Sequence, residues 1–192
     1  MRHIMLCVAA LACAGAIALV ALARPDAAPA GDRQPAASTA SAAATVRLIH
    51  RYRTETWRWQ KLMRRTRTPS NYTARRSTDP SYRAWVLRVW KQRAARARRA
   101  AQNPPRRSAW LCIYRHERHP RMGWRTRTGN GYFGGLQMDI AFQRQYGADL
   151  LRRKGTADRW TSIEQIWVAE RAYRSGRGFS PWPNTARYCG LI

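Results

Sequence analysis

The stretch Thr128-Gly129-Asn130-Gly131-Tyr132-Phe133-Gly134-Gly135-Leu136-Gln137 decides how this chain is read. Asn130-Gly131 is a tight-turn signal, because both residues tolerate positive φ, and strand-forming aromatics follow it. The spacing predicts a short β-hairpin. Upstream, Trp110, Ile113 and Tyr114 recur at helical spacing and lead to Glu117, with Ser108 as a candidate cap. Downstream, a helix is predicted around Ile140 to Leu151. Another runs from Thr161 to Tyr173, with Ile163, Ile166, Trp167 and Ala169 as its apolar face and a capping-box pattern in Thr161 and Glu164. Gly176 and Gly178 end it, and Pro181-Trp182-Pro183 leads to Cys189. Residues 108–192 therefore read as a small, mainly α domain (α+β by virtue of the hairpin).

The residues before it have a different character. The chain has 192 residues and a formal net charge of +26, from 36 Lys and Arg against 10 Asp and Glu. Such a chain binds polyanions: nucleic acid, anionic membrane, or the acidic polymers of a bacterial wall. Much of the charge lies between Arg47 and Arg107, where 19 Arg and Lys face only Glu55 and Asp79. Val46, Ile49, Tyr52, Trp57 and Met63 recur at loosely helical spacing, and so do Trp85, Val86, Val89 and Trp90. Residues 45–107 are thus expected to form two basic helices joined by a polar loop, the second capped by Asp79. Ordinary solvated helix faces mix signs, so a polyanion-docking face is favoured over simple solvation.

Residues 24–44 are rich in Ala, Pro and Ser and read as a disordered tether. Before them, Arg2 precedes an apolar run from Ile4 to Leu22, and Ala21-Leu22-Ala23 supplies small residues at a cleavage site. Residues 1–23 are expected to be an export signal, or a membrane anchor where it is not cleaved. Cys13 as a lipid-attachment site is disfavoured, because the apolar run continues past it. Cys7 and Cys13 leave with the signal. Cys112 and Cys189 remain, and in an oxidising compartment they are expected to form a disulfide.

Carboxylates in the last domain are Glu117, Asp139, Asp149, Asp158, Glu164 and Glu170. Glycoside cleavage needs at least one carboxyl group to protonate the leaving oxygen, and Glu117 ends a helix shortly before the glycine-rich stretch. Here the order of motifs becomes informative. Trp110, Glu117, the stretch 128–137, Glu164-Gln165-Ile166 with Val168-Ala169-Glu170, then Trp182-Pro183 and Cys189 resemble the lysozyme-like domain of resuscitation-promoting factors and related actinobacterial transglycosylase-like proteins. The resemblance implies a small lysozyme-like fold. It also implies cleavage of the bond between N-acetylmuramic acid and N-acetylglucosamine in peptidoglycan, with Glu117 at the position of the catalytic glutamate. The chain departs from the family pattern in several places. The insert from Glu117 to Thr128 is longer and carries Arg118, His119 and Arg121. His116 stands where the family has its cysteine, with Cys112 one turn earlier and Cys189 displaced in parallel. Phe142-Gln143 stands where the family has Thr-Trp.

Two mechanisms are open to such a site. A hydrolase uses a second carboxylate, for which Asp139 is the best-placed candidate, although Asp139 is equally suited to capping a helix. A lytic transglycosylase needs Glu117 alone, and the shortage of carboxylates favours it. Asn130, Tyr132 and Gln137 are the expected sugar contacts, with Gly134-Gly135 allowing close approach and Trp182 either a sugar platform or core. No metal or organic cofactor is required, and the chain is expected to act as a monomer. The string Gly129-x-Gly131-x-x-Gly134 fits a dinucleotide fingerprint by letter but lacks its βαβ setting. Cys112, His116, His119 and Cys189 offer a zinc set, disfavoured by export. The alternative from another class is an inactive basic protein binding wall polymer or nucleic acid, with Trp57, Trp59, Trp85 and Trp90 between the arginines. Export argues against nucleic acid as the physiological partner.

Overall fold

The computed structural model describes residues 34–70 and 77–192. They form α1 (Gln34–Leu62), α2 (Pro80–Gln102), α3 (Arg107–Glu117), α4 (Ile140–Lys154), α5 (Ser162–Ala172) and α6 (Pro183–Tyr188). Short 3-10 turns lie at Gly123–Arg125 and Ala157–Arg159, and a π turn at Tyr173–Arg177. The chain is mainly α, as its periodicity suggests. The expected signal, residues 1–23, lies outside the described residues. Among those described, no helix is long and apolar enough to cross a membrane.

Residues 24–33 of the expected tether also lie outside the described residues, but from Gln34 onward the tether is helix. Alanines at 36, 37, 40, 42, 43 and 44 explain this. Alanine has the highest helix propensity of any residue, and here the segment extends a helix already committed further along the chain. Its composition suits a helix as well as a linker.

The glycine-rich stretch is not a regular hairpin. Phe133 bridges Arg127 on one side and Met138 on the other, as isolated antiparallel pairs without a strand. Gly129, Gly131, Gly134 and Gln137 all have positive φ. A left-handed residue at every second or third position prevents a continuous extended run.

Helix caps follow the sequence signals in three places. Asp79 caps α2 and Asp139 caps α4, while Thr161 and Glu164 form a full capping box on α5. Ser108 does not cap α3. That helix begins after Arg106, held at φ 55° with no side-chain cap, because the Arg106 side chain is drawn to a buried partner on α5.

The main core gathers Trp110 and Ile113 from α3, Leu136 and Met138 from the glycine-rich loop, Phe142 and Leu150 from α4, Ile166 and Val168 from α5, and Trp182 and Ala186 at the C-terminal end. Trp110 sits at its centre, 4.9 Å from the Phe179 ring and 5.3 Å from Trp182. α4 bends at Gly147, where a Cβ would fall 2.6 Å from the Trp160 ring.

α1 and α2 pack on each other through Ile49, Val86 and Trp90, with Trp57 edge-on to Trp90 at 6.2 Å. The pair is docked on the rest of the chain. Met63, Ala101 and Trp167 share a cluster, and the Trp167 indole donates to the Ala101 carbonyl at 2.8 Å. Arg171, on α5, donates to the carbonyls of Leu62 and Tyr146. Burial, then the nearby Arg64, lowers its pKa to about 10, so it remains charged at neutral pH.

Candidate functional site

Glu117 sits at the C-terminal end of a helix fixed at both ends. At the start of α3, the Trp110 indole donates to Glu170 Oε1 at 2.7 Å. Arg106 forks onto the same carboxylate, at 3.1 Å to Oε1 and 2.6 Å to Oε2. Glu170 is wholly buried. A charge in that setting is tolerable because a bidentate guanidinium and an indole N–H satisfy it, with Arg174 adding an ion pair at 3.5 Å. In the middle of α3, Cys112 is disulfide-bonded to Cys189 at the end of α6, as expected. α6 also carries Thr185, whose hydroxyl donates to Glu117 Oε1. Glu117 is half-buried. In a chain dominated by arginine, no basic group among the described residues forms an ion pair with it.

Glu117 opens onto a cleft of about 280 Å³ lined by Asn130, Tyr132, Gln137, Trp182 and the Pro181–Asn184 turn. A second hollow of about 190 Å³ shares Tyr132, Gln137, Pro181 and Trp182 with the first, and reaches Asp139, Phe142, Gln145 and Arg177. The two make one groove, with Glu117 at one end and Arg177 towards the other. The expected contacts Asn130, Tyr132, Gln137, Asp139 and Trp182 all line it. Tyr132 is 47% exposed and offers an open ring face. Asn130 Oδ1 accepts from the Tyr132 N–H at 3.1 Å, which sets the turn that presents that ring. Gln137 holds φ 47°, a left-handed conformation that costs a non-glycine residue roughly 1 kcal/mol or more. Its amide donates to the Gly134 carbonyl at 2.8 Å.

Three placements differ from a simple sugar-contact reading. Trp182 is 4% exposed, and its indole donates to the Leu136 carbonyl at 2.6 Å. It is a core residue that meets the groove as its floor. Asp139 caps α4, accepting from the Phe142 N–H at 2.6 Å; it lines the second hollow and not the one that holds Glu117. Gly134 and Gly135 are buried, and the close approach they permit is to the protein's own side chains. A Cβ on Gly134 would fall 2.5 Å from Gln165 Oε1. One on Gly135 would fall 2.6 Å from the Tyr114 ring, which stacks on Trp124 at 4.0 Å. Gln143 is likewise buried, bridging the Met138 carbonyl and the Ala157 N–H.

Cys112, His116 and Cys189 place their ligand atoms within 4.8 Å of one another, without His119. The two sulfurs are bonded to each other, so they present no thiolates, and His116 instead packs on the Tyr188 ring.

Thr185 and Glu170 were not legible as site residues. Glu170 carried a signal: an acid among Ile166, Trp167, Val168 and Ala169 must be buried and therefore paired. Thr185 carried none, because its contact spans 68 residues of chain.

The fold is thus a small helical domain with a half-buried glutamate at one end of an open groove. Residues 106–185 match the family model of the transglycosylase-like domain. The chain is similar to the resuscitation-promoting factor Rpf1 of Corynebacterium glutamicum, with 38% identity over 68 residues, 35% of this chain. The match spans about a third of that relative's own length, 34%. No solved structure matches the chain significantly.

Proposed function

We propose that this chain is an exported enzyme that cleaves peptidoglycan glycan strands between N-acetylmuramic acid and N-acetylglucosamine, with Glu117 as its acid/base. In this reading residues 1–23 are the export signal and 108–192 the lysozyme-like catalytic domain. Residues 45–107 hold the enzyme to anionic wall polymer. The observation that carries the proposal is the groove: a carboxyl group with no ion pair among the described residues stands beside an exposed tyrosine and polar side chains. An elongated groove suits a polymer better than a small molecule.

The lytic transglycosylase route is favoured over hydrolysis. Glu117 is the only carboxylate among the described residues that line its hollow, and Asp139 is occupied as a cap. Protonated Glu117 gives its proton to the glycosidic oxygen as the C–O bond breaks. The substrate's N-acetyl group supports the developing cation in place of a second acid. The resulting carboxylate then takes the proton of the sugar's 6-hydroxyl, whose oxygen bonds to C1 and closes a 1,6-anhydro ring. Proton and atom counts balance without water. Thr185 orients the carboxylate, and Gln137 and Asn130 hydrogen-bond the acetamido and hydroxyl groups.

The test is a mass-spectrometric digest of purified peptidoglycan by the chain lacking residues 1–23 and by its Glu117→Gln variant. Anhydro-ended fragments from the parent alone are expected. Reducing ends would transfer the reading to hydrolysis and to Asp139. No fragments, with wall binding intact, would replace the enzyme by a binding protein.

A further inference from the structure

A separate pocket of about 230 Å³ lies between α1 and α2, away from the Glu117 groove. One wall is the α1 face of Thr56 and Gln60 with Met63 just past the helix end, and the other is the α2 face of Arg93, Arg96, Ala97 and Ala100. These positions fall at i, i+4, i+7 and at i, i+3, i+4, i+7, so each set lies along one side of its helix. The alanines keep the trough open where larger side chains would fill it. Arg65 and Thr68, just past the end of α1, close it.

Three arginines, 65, 93 and 96, therefore line one small cavity that has no carboxylate among its lining residues. None of them makes an ion pair among the described residues. Glu55, the acid of α1, is taken by Arg98 at 2.5 Å. Neutral donors complete the cavity. Thr68 Oγ1 accepts from the Gln60 amide at 2.7 Å, which leaves the Thr68 O–H to donate. Like charges held together repel, and an anion in the pocket removes that cost.

We infer that this pocket is a phosphate site, and that its occupant is a phosphodiester group of an anionic cell-wall polymer; the choice of polymer rests on the proposal that the chain works at the wall. Guanidinium forks match the oxygens of a phosphate. The surroundings disfavour single-stranded nucleic acid, which needs open aromatic faces for its bases. Trp90 is 4% exposed, and Trp57 packs against it beneath Arg53 and Arg67. Trp85 is exposed but does not line the pocket.

The experiment is a fluorescence anisotropy titration with end-labelled poly(glycerol phosphate) at fixed physiological salt. It compares the parent chain with R65Q/R93Q/R96Q and with R47Q/R51Q/R88Q, which removes the same charge from exposed positions outside the pocket. Charge-assisted bonds are worth about tenfold each, so the pocket triple is expected to lose about 100-fold or more and the control about threefold. R65K/R93K/R96K, which keeps charge and fold but loses the forks, is expected to fall between them. Glu117→Gln is expected to bind like the parent, so loss of cleavage and loss of the pocket are read separately. Equal losses for both glutamine triples would overturn the site in favour of diffuse charge. An oligodeoxynucleotide of equal charge that binds more tightly, and is lost with the pocket triple, would overturn the choice of polymer.

Discussion

A chain carrying Cys112→Ala and Cys189→Ala lacks the covalent tie between α3 and α6, which are joined across 77 residues. Chain-entropy arithmetic for a loop of that size gives about 4–5 kcal/mol of stabilisation, exerted through the unfolded state. For a chain of this length that is a fall of roughly 10–20 °C in Tm. The second effect is local. α6 has six residues, far too few to persist alone, and it carries the Thr185 hydroxyl that engages Glu117. Without the bridge, α6 is held by Ala186, by the Tyr188 ring against His116 and by the Trp182 ring at its start. A hydrogen bond to a charged group is worth about 1.5–3 kcal/mol, so freeing Thr185 is expected to slow cleavage about tenfold or more, even well below the new Tm. The assay pairs a circular-dichroism melt with release of fragments from soluble glycan at 15 °C. A Tm within about 3 °C of the parent, with cleavage unchanged, would refute the reasoning and leave apolar packing as the sole anchor of α6.

Three further outcomes follow from the packing and the charges. Gly135→Ala puts a methyl 2.6 Å from Tyr114 and 2.9 Å from Trp124; the stacked pair must part, at a cost of about 1–3 kcal/mol, read by urea melts and by a changed near-ultraviolet spectrum. Glu170→Gln keeps the shape but strips the buried charge that Arg106 and Trp110 share. It is expected to cost about 3 kcal/mol, and a loss below about 1 kcal/mol in urea titration would show that Arg106 is satisfied elsewhere. Acid is expected to weaken the fold through Asp149 and Glu164. Burial pushes both carboxyls up. Arg153, Arg171 and Lys61 outweigh it for Asp149, and Lys154 with the Thr161 cap does so for Glu164, so both lie below their ordinary values of 3.8 and 4.5. A depressed folded value contributes stability that is complete above the unfolded value and is lost as pH falls through the folded one. Tm should hold from pH 7 to about 5 and fall below about 4.5, less steeply in Lys154→Met; a flat profile down to pH 3 would contradict this.

What could be read from the chain was what short-range physics controls. α1, α2, α4 and α5 follow from apolar spacing, and their caps at Asp79, Asp139 and Thr161 from side chains that reach only two or three residues. Glu117 and the groove residues were legible because the family motif runs in sequence order. The missing parts are set by long-range contacts. Arg106 starts α3 in place of a Ser108 cap because Glu170, 64 residues away, holds its guanidinium. Gly134 and Gly135 look like room for a ligand until Gln165 and Tyr114 are seen to fill that room.

The same long-range contacts explain how a small domain keeps one carboxyl in register with a groove. Trp110 and Glu117 are seven residues apart, two turns of one helix. The turn with Trp110 is locked by a buried carboxylate and a guanidinium, the middle of the helix at Cys112 by a disulfide, and the turn with Glu117 by a hydroxyl. The first attaches α3 to α5, whose Glu170 is buried in the core, and the hydroxyl attaches it to the segment that builds the groove, since Thr185 follows Trp182, the groove floor. A shift of α3 would have to break a charged network at its start or strain a covalent bond at its middle. The Glu117 carboxyl is therefore held by the scaffold, without an ion pair among the described residues.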